Sequence, residues 1–204
     1  MTVVKICGLK EHKHVQAAVA NGVHFIGFVF APSMRRVSIA EAAALAAHIP
    51  AHVKKVGVFV NETKERIQEI AARVPLDYIQ YHGDESNAFI QDVGLPAIKA
   101  FAIRSEQDVA HAATYEVDYY LFDAPGTDFR GGSGHTFDWS LLEAAHIPQS
   151  KVILAGGLNE HNVKQAITHI QPFAVDVSSG VELDGIKDER LITRFLTIAK
   201  EAQQ

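Results

Sequence analysis

The chain has 204 residues, of which 48% are hydrophobic and 21% charged, and its formal net charge is −5. This composition is typical of a globular protein rather than a disordered or fibrous chain, and the negative charge argues against a general nucleic-acid binder. A single cysteine cannot form an intramolecular disulfide, and no apolar run approaches the roughly 18 residues of a bilayer-spanning helix. The first residues lack the pattern of a signal peptide, so we expect a cytoplasmic protein that binds neither nucleic acid nor membrane.

Short runs rich in β-branched and aromatic residues alternate with amphipathic stretches along the chain, and they predict strands and helices respectively. The predicted strands are Val3–Cys7, Phe25–Phe30, Lys55–Val60, Tyr78–His82, Ala97–Ala102, Tyr119–Asp123, Val152–Ala155 and Phe173–Val177. The predicted helices are Ile39–His48, Thr63–Val74, Ser86–Val93, Glu106–Ala113, Glu160–Ile170 and Asp188–Ala202. Ser38 and Asn61 precede two of these helices and have side chains suited to capping them.

This alternation indicates parallel strands joined by right-handed crossovers. Eight such units most naturally close into a barrel, so we predict a compact (β/α)8 TIM barrel of the phosphate-binding type, as a single domain over residues 1–204. The alternative is an open, doubly wound sheet. The count of eight strands favours the barrel, as does the lack of a Gly-rich dinucleotide fingerprint after the first strand.

The site of such a barrel lies at the carboxyl ends of its strands. The polar residues at or just after the predicted strand ends include Cys7, Asn61, His82, Asp123 and Ser178. Alternation along a strand places Lys5 on the same face as Cys7, and Asp176 on the same face as Ser178. Because closure puts the eighth strand beside the first, we expect a buried ion pair between Lys5 and Asp176 beneath the site.

Two segments after the last two predicted strands are suited to binding an anion: Gly156-Gly157 and Ser178-Ser179-Gly180. Glycine lets backbone N–H groups approach a ligand closely, and the start of a short helix offers unpaired N–H donors. Loops after strands seven and eight are also the usual phosphate position in this architecture. We therefore predict that these five residues bind a phosphate group.

Several motifs occur in one order along nearly the whole chain. They are Val4–Gly8, Gly27–Phe30 with Pro32 and Ser33, Val56–Asn61, Gln80–Gly83, Phe122-Asp123, Gly131–Gly134, Thr136–Trp139, Gly156–Leu158 and Asp176–Glu182. In this order they closely resemble the phosphoribosylanthranilate isomerase family of tryptophan biosynthesis. The resemblance implies a (β/α)8 barrel that acts on a small phosphosugar without a cofactor or metal.

The reaction implied by this resemblance is an Amadori rearrangement of N-(5'-phosphoribosyl)anthranilate to 1-(2-carboxyphenylamino)-1-deoxyribulose 5-phosphate. By matched motif, Cys7 would be the general base and Asp123 the general acid. Separate strands, the first and the sixth, allow the two groups to flank a substrate. His82 and Asp176 would be further substrate contacts.

The family's Ser-Pro-Arg-Tyr-like segment, whose arginine holds the anthranilate carboxylate, is changed in this chain. It reads Ser33-Met34-Arg35-Arg36 here. Counting from Ser33 and Ser38 selects Arg35, whereas a shift of one residue selects Arg36. Either guanidinium has the planar fork that suits a carboxylate.

The residues also allow plainer interpretations. Cys7 would otherwise be a buried, inert thiol, and Asp123 would be a turn cap with Asp128 as the competing acid. The glycine-rich loop Gly126–Gly134 is predicted to be either a lid or simply flexible. A zinc site is not expected, because no spacing of the histidines brings three or four ligands together.

The function also has alternatives from the sequence. One is a phosphosugar-binding barrel that has lost catalysis, and the other is a different phosphosugar isomerase. The presence of both Cys7 and Asp123 argues against the first. We expect a monomer or a homodimer.

Overall fold

A computed structural model of the chain describes residues 2–125, 136–142 and 147–202. Eight parallel strands close into a barrel in chain order, with the last strand hydrogen-bonded to the first. The strands are β1 (Val3–Cys7), β2 (Phe25–Val29), β3 (Lys54–Phe59), β4 (Tyr78–Tyr81), β5 (Ala97–Ala102), β6 (Tyr119–Asp123), β7 (Val152–Leu154) and β8 (Ala174–Val177). The predicted barrel is confirmed and the open sheet is wrong.

Seven α-helices surround the barrel in the part of the chain that the structure describes. They are α1 (His12–Ala20), α2 (Ile39–Ala46), α3 (Lys64–Arg73), α4 (Asn87–Val93), α5 (Glu106–Ala112), α6 (Val163–Ile170) and α7 (Glu189–Glu201). The predicted cap at Ser38 is confirmed, because it exchanges side-chain and backbone hydrogen bonds with Glu41. The predicted cap at Asn61 is wrong: Thr63 caps α3, whereas Asn61 has a φ of 51° and accepts a hydrogen bond from the Asp84 N–H.

Helix α1 is missing from the sequence prediction. Glu11 precedes it without a side-chain capping hydrogen bond, and only His14, Val15 and Ala18 are buried along its nine residues. Both its start signal and its apolar face are therefore weak. Among all described helices, none is long and apolar enough to cross a membrane.

Four aromatic rings close the N-terminal end of the barrel interior. Phe25, Tyr78 and Tyr119 begin strands β2, β4 and β6, and Phe173 directly precedes β8. Their ring centroids lie 4.5–6.4 Å apart, and the rings of Tyr119 and Phe173 are stacked. A layer of four side chains from alternate strands is the usual filling of such a barrel.

The interior becomes polar towards the C-terminal end. The next layers contain the buried aliphatic side chains of Val56, Ile98, Leu121 and Ile153. Beyond them lie Lys5, Gln80 and Asp176, which are 0%, 1% and 7% exposed. The fold thus gathers buried polar groups at the end of the barrel where the strand ends carry Cys7 and Asp123.

A small hairpin follows β8. Its antiparallel strands are β9 (Glu182–Leu183) and β10 (Ile186–Lys187). Asp184 and Gly185 form the turn, with φ angles of 52° and 77°. Positive φ at both central positions matches the tight two-residue turns that join hairpin strands.

Candidate active site

Cys7 is the last residue of β1 and is 8% exposed. Its sulfur and the Nζ of Lys5 approach the same point of β2, where Gly27 has no side chain. A Cβ at Gly27 would lie 2.9 Å from Cys7 Sγ and 3.2 Å from Lys5 Nζ. Glycine at this position therefore makes room for the thiol and the ammonium group side by side.

The predicted ion pair beneath the site is present. Lys5 Nζ donates to Asp176 Oδ1 at 3.0 Å, and the Lys5 side chain is fully buried. Burial by itself lowers the pKa of Lys5, but attraction to Asp176 and Cys7 outweighs it and raises the pKa above its ordinary value. Lys5 is therefore a fixed positive charge in the barrel interior.

Burial raises the pKa of the Cys7 thiol above its ordinary value. The positive charges of Lys5 and Lys187 act in the opposite direction, and the charge of Asp176 adds to the rise. Burial therefore favours the neutral thiol over the thiolate. Once ionised, its sulfur is a stronger base than an ordinary thiolate.

Asp123 ends β6 and is 6% exposed. His82 Nε2 lies 3.5 Å from Asp123 Oδ2, while His82 Nδ1 is 3.0 Å from the Gln80 amide nitrogen. Asp176 interacts electrostatically with Cys7 and also with Asp123 and His82. The structure thus brings Cys7, His82, Asp123 and Asp176 together at one mouth of the barrel.

The five residues predicted to bind phosphate lie at adjacent strand ends. Gly156 and Gly157 follow β7 with φ angles of 81° and 62°, which favour glycine. Ser178 and Ser179 follow β8, and a Cβ on Gly180 would clash with the Leu158 carbonyl oxygen. The two loops therefore pack directly against each other beside the mouth.

The loop after β2 separates the two candidate arginines. Arg35 lies across Gly8, whose position would place a Cβ 2.7 Å from Arg35 Cδ, and its side chain is 17% exposed. Arg36 is exposed at the surface, and its backbone bridges to Val29. Of the two, Arg35 is the one that reaches the mouth beside Cys7.

Glu182 and Lys187 were not singled out from the sequence, yet they complete the mouth on the side of Arg35. Glu182 accepts hydrogen bonds from Arg35 Nε and Nη2 and from Lys187 Nζ. Burial raises the pKa of Glu182, but these hydrogen bonds and the charges of Arg35 and Lys187 outweigh it and lower the pKa. The Asp184-Gly185 dipeptide is a hairpin signal, and it could have revealed that Glu182 pairs with Lys187.

A second buried cluster holds the loop that carries His82. Lys99 Nζ donates to the Gly83 carbonyl at 2.8 Å and to Glu85 Oε2 at 3.1 Å. Glu85 in turn accepts the backbone N–H groups of Asn61 and Gly83. Nothing in the sequence pattern points to this cluster, because its groups come from β5, from the loop after β3 and from the loop after β4.

In the described residues, no group of three or more His, Cys, Asp or Glu side chains is arranged to hold a metal ion. The competing acid Asp128, the glycine-rich loop Gly126–Gly134 and the Gly131–Gly134 motif lie outside those residues. The described mouth therefore offers acid–base groups, cations and glycine-rich loops.

A closed (β/α)8 barrel with a buried thiol, a carboxyl group and an imidazole at one mouth, beside two glycine-containing loops, defines a barrel enzyme equipped for proton transfer. A sequence model of the N-(5'-phosphoribosyl)anthranilate (PRA) isomerase family matches residues 4–197. The chain belongs to this family, and it is an isomerase of tryptophan biosynthesis.

Individual relatives agree with this assignment. The N-(5'-phosphoribosyl)anthranilate isomerase of Bacillus cereus (strain G9842) is 46% identical over 204 residues, which cover 98% of this chain and 99% of that protein. That of Listeria monocytogenes serovar 1/2a is 47% identical over 198 residues, covering 97% and 98%.

Solved structures extend the agreement to the fold. The crystal structure of phosphoribosyl anthranilate isomerase from Thermotoga maritima has a TM-score of 0.89 at 37% identity and covers 98% of this chain and 100% of its own. A phosphoribosyl anthranilate isomerase in complex with reduced 1-(o-carboxyphenylamino)-1-deoxyribulose 5-phosphate has a TM-score of 0.86 at 36% identity, with the same coverage.

Proposed function

We propose that this chain converts N-(5'-phosphoribosyl)anthranilate to 1-(2-carboxyphenylamino)-1-deoxyribulose 5-phosphate, with Cys7 as general base and Asp123 as general acid. One observation supports a joint role for the two groups: Asp176 interacts electrostatically with both, so the thiol of β1 and the carboxyl group of β6 share one mouth. An acid and a base on separate strands flank a substrate between them.

The chemistry of the two groups matches the steps of this rearrangement. Protonated Asp123 gives its proton to the furanose ring oxygen, the C1–O bond breaks, and the nitrogen lone pair forms a C1=N bond. The Cys7 thiolate then removes the proton from C2, the C–H electron pair forms the C1=C2 bond of an enolamine, and the second electron pair of the C1=N bond returns to nitrogen. The enolamine gains a proton at C1 and loses the C2 hydroxyl proton, which gives the ketone.

The surrounding residues are assigned by their positions around the mouth. Gly156, Gly157, Ser178, Ser179 and Gly180 would hold the phosphate group, because their two loops pack together at adjacent strand ends. Glycine-rich backbone beside a short helical turn is well suited to an anion.

Other side chains of the mouth would hold the rest of the substrate. Arg35 would bind the anthranilate carboxylate, because it reaches the mouth whereas Arg36 is exposed. His82 would contact the substrate from the side of Asp123. Asp176 Oδ1 is engaged by Lys5, so we assign a substrate hydroxyl contact to its Oδ2.

The test follows the anthranilate fluorescence of phosphoribosylanthranilate with the purified protein and the variants Cys7→Ala and Asp123→Asn. We expect rapid loss of the signal with the wild type and about 10²–10⁴-fold lower kcat/KM for each variant. Asp92→Asn, an exposed carboxylate on α4, is the matched control and should retain full activity.

Two results would overturn parts of this proposal. A wild-type protein that leaves the substrate untouched would return the chain to a phosphosugar barrel of another specificity. Full activity in both variants would keep the reaction but reject the acid–base pair.

We further propose a single catalytic domain, present as a monomer or homodimer in the cytoplasm. The free thiol of Cys7 must stay reduced to act as a base, which fits a reducing compartment. A dimeric phosphoribosylanthranilate isomerase is known from Thermotoga maritima. Light scattering on the purified protein would distinguish the two assemblies, and a larger species would exclude both.

A further inference from the structure

The hairpin of β9 and β10 has its charges on the inside and its apolar residues on the outside. The side chains of Glu182 and Lys187 are 5% and 4% exposed, whereas Leu183 and Ile186 are 58% and 60% exposed. A surface hairpin normally buries its apolar face and exposes its charged one. Because buried charges are costly to desolvate, this inverted arrangement indicates that the charged inner face has a function at the mouth of the barrel.

Glu182 binds one particular edge of the Arg35 guanidinium. Its Oε1 accepts from Nε at 2.7 Å and its Oε2 accepts from Nη2 at 2.8 Å. A guanidinium has five N–H groups, and this side-on pairing uses the single N–H of Nε and one N–H of Nη2. The other three N–H groups, on Nη1 and Nη2, form a second edge that can bind another carboxylate in bidentate fashion.

Lys187 holds Glu182 in this orientation. Its Nζ donates to Glu182 Oε1 at 2.6 Å, to the Ser178 carbonyl at 2.8 Å and to Ser178 Oγ at 3.2 Å. Ser178 Oγ in turn donates to the Cys7 carbonyl at 3.2 Å. The contacts thus connect Arg35 with the loop after β8 and with the end of β1.

The charges of this cluster are unbalanced in favour of an anion. Arg35 and Lys187 contribute two positive charges, and Glu182 contributes one negative charge. Glu182 therefore fixes the plane of the guanidinium without neutralising the cluster. One positive charge remains for an incoming carboxylate at the end-on edge of Arg35.

We propose that Glu182, held in place by Lys187, is a positioning residue that directs the end-on edge of Arg35 towards the carboxylate of the substrate's aryl group. Glu182 does not touch the substrate; it makes the site selective for a carboxylated aryl amine by fixing the fork beforehand. This inference rests on the proposed function, and in particular on the assignment of Arg35.

The test measures the Kd of two ligands by calorimetry, so it does not depend on turnover. One is reduced 1-(o-carboxyphenylamino)-1-deoxyribulose 5-phosphate, and the other is the same compound without the carboxylate. The Kd of the ligand without the carboxylate, divided by the Kd of the ligand with it, gives the contribution of the carboxylate to binding. We expect this ratio to be large in the wild type and about tenfold smaller in Glu182→Gln, because a neutral amide cannot hold both nitrogens of the fork.

Two further variants test whether the effect depends on the charge and position of Glu182. Glu182→Asp keeps the charge but is one methylene shorter, so its ratio should lie between those of the wild type and Glu182→Gln. Leu183→Ala removes the neighbouring exposed side chain and should leave the ratio unchanged. Thermal melting of each variant checks that the fold is retained, and the aspartate variant answers the question if the glutamine variant does not fold.

The possible outcomes are distinct. Equal weakening of both ligands in Glu182→Gln and Glu182→Asp would give Glu182 only a structural role and overturn the inference. Tighter binding of the carboxylated ligand would make Glu182 a competitor for Arg35, which also overturns it. If the wild type binds neither ligand, the proposed function itself fails; if it binds both equally, only the assignment of Arg35 and this inference fail.

Discussion

The two ends of the barrel interior are built from the same strands but from opposite chemistry. Strand β6 runs from the ring of Tyr119 to the carboxylate of Asp123, and β4 begins with Tyr78 just before Gln80 and His82. At one end, aromatic rings touch one another. At the other, each buried charge requires a partner. A strand of five residues, about 16 Å long, thus separates aromatic packing from buried ionisable groups.

The comparison shows how the two ends stabilise the molecule differently. Removing apolar surface from water stabilises the aromatic end, and no partner of opposite charge is needed there. At the polar end, burial itself is unfavourable, so Lys5 contributes only because it lies 3.0 Å from Asp176. Substitutions at the aromatic end should therefore change stability alone, whereas those at the polar end should change stability and chemistry together.

The largest effect is expected from Lys5→Met. It leaves the carboxylate of Asp176 buried without a partner, so we expect a loss of about 3–5 kcal/mol in the free energy of unfolding. The pKa of Cys7 should also rise, because the positive charge of Lys5 lowers it. Urea denaturation measures the first effect, and the pH dependence of Cys7 alkylation measures the second.

The matched control for this substitution is the double variant Lys5→Met/Asp176→Asn. Removing the second charge should restore most of the stability, and it should return the pKa of Cys7 only part of the way, because the charge of Asp176 raises that pKa by less than Lys5 lowers it. A single variant as stable as the wild type would show that the ion pair is dispensable and would remove the contrast between the two ends.

Phe25→Ala should have an effect that is nearly as large but confined to stability. Phe25 is 6% exposed and contacts the rings of Tyr78, Tyr119 and Phe173. Loss of a buried phenyl group typically costs about 3–5 kcal/mol. We expect kcat and KM of the folded protein to stay as in the wild type, and Phe25→Leu to show a smaller loss of stability. A fall in kcat at temperatures where the variant is folded would contradict the prediction that the aromatic end affects stability alone.

At the polar end, the ionisation of Cys7 should be visible as a pH dependence. Burial raises the thiol pKa above the usual value of about 8.5, so the thiolate and with it kcat/KM should increase with pH through the alkaline range. Because Cys7 is the only cysteine, the rate of iodoacetamide modification reports its ionisation alone. Lys187→Met should move the midpoint higher still, and a midpoint near neutral pH would contradict this reasoning.

The smallest expected effect is a loss of stability at acidic pH, caused by His24 near the aromatic end of the barrel. His24 Nδ1 accepts the backbone N–H of Val4, and burial lowers its pKa, with Lys200 and His52 contributing. The unfolded chain, with an ordinary histidine pKa of about 6.5, therefore binds a proton more readily than the folded one. Stability is full above pH 6.5 and declines as the pH falls towards the lower pKa of the folded state. Thermal melting of the wild type and His24→Gln from pH 7.5 to 5 should show a weaker decline in the variant, and identical curves would exclude this contribution.

A contact in the site could be predicted from the sequence only where the order of the strands determines it. Alternation and barrel closure place Lys5 opposite Asp176, and each predicted strand end lies within one residue of the observed end. The contact of Arg35 with Glu182 joins residues 147 positions apart, through a loop and a hairpin whose paths no periodicity determines. Neither the sequence nor any strand rule could select it.

Local backbone geometry explains the remaining differences. Asn61 has a cap-like side chain, but its positive φ places it in the loop with Asp84, and Thr63 begins the helix instead. Helix α1 has no capping side chain and only a narrow buried face. The roles of Cys7 and Asp123 remain predictions, because position at a strand end determines proximity and not the direction of proton transfer.

Because the barrel closes between β1 and β8, its closure must wait until the ribosome has made nearly the whole chain. Lys5 and Asp176 are separated by 171 positions. At a translation rate of about 5–20 residues per second, the ribosome needs on the order of ten seconds or more to supply the second residue after the first. Until then Cys7 lacks Asp176 and Lys187, two of the charged neighbours that set its pKa, so a nascent chain that has already formed most of its strands has not yet assembled its active site.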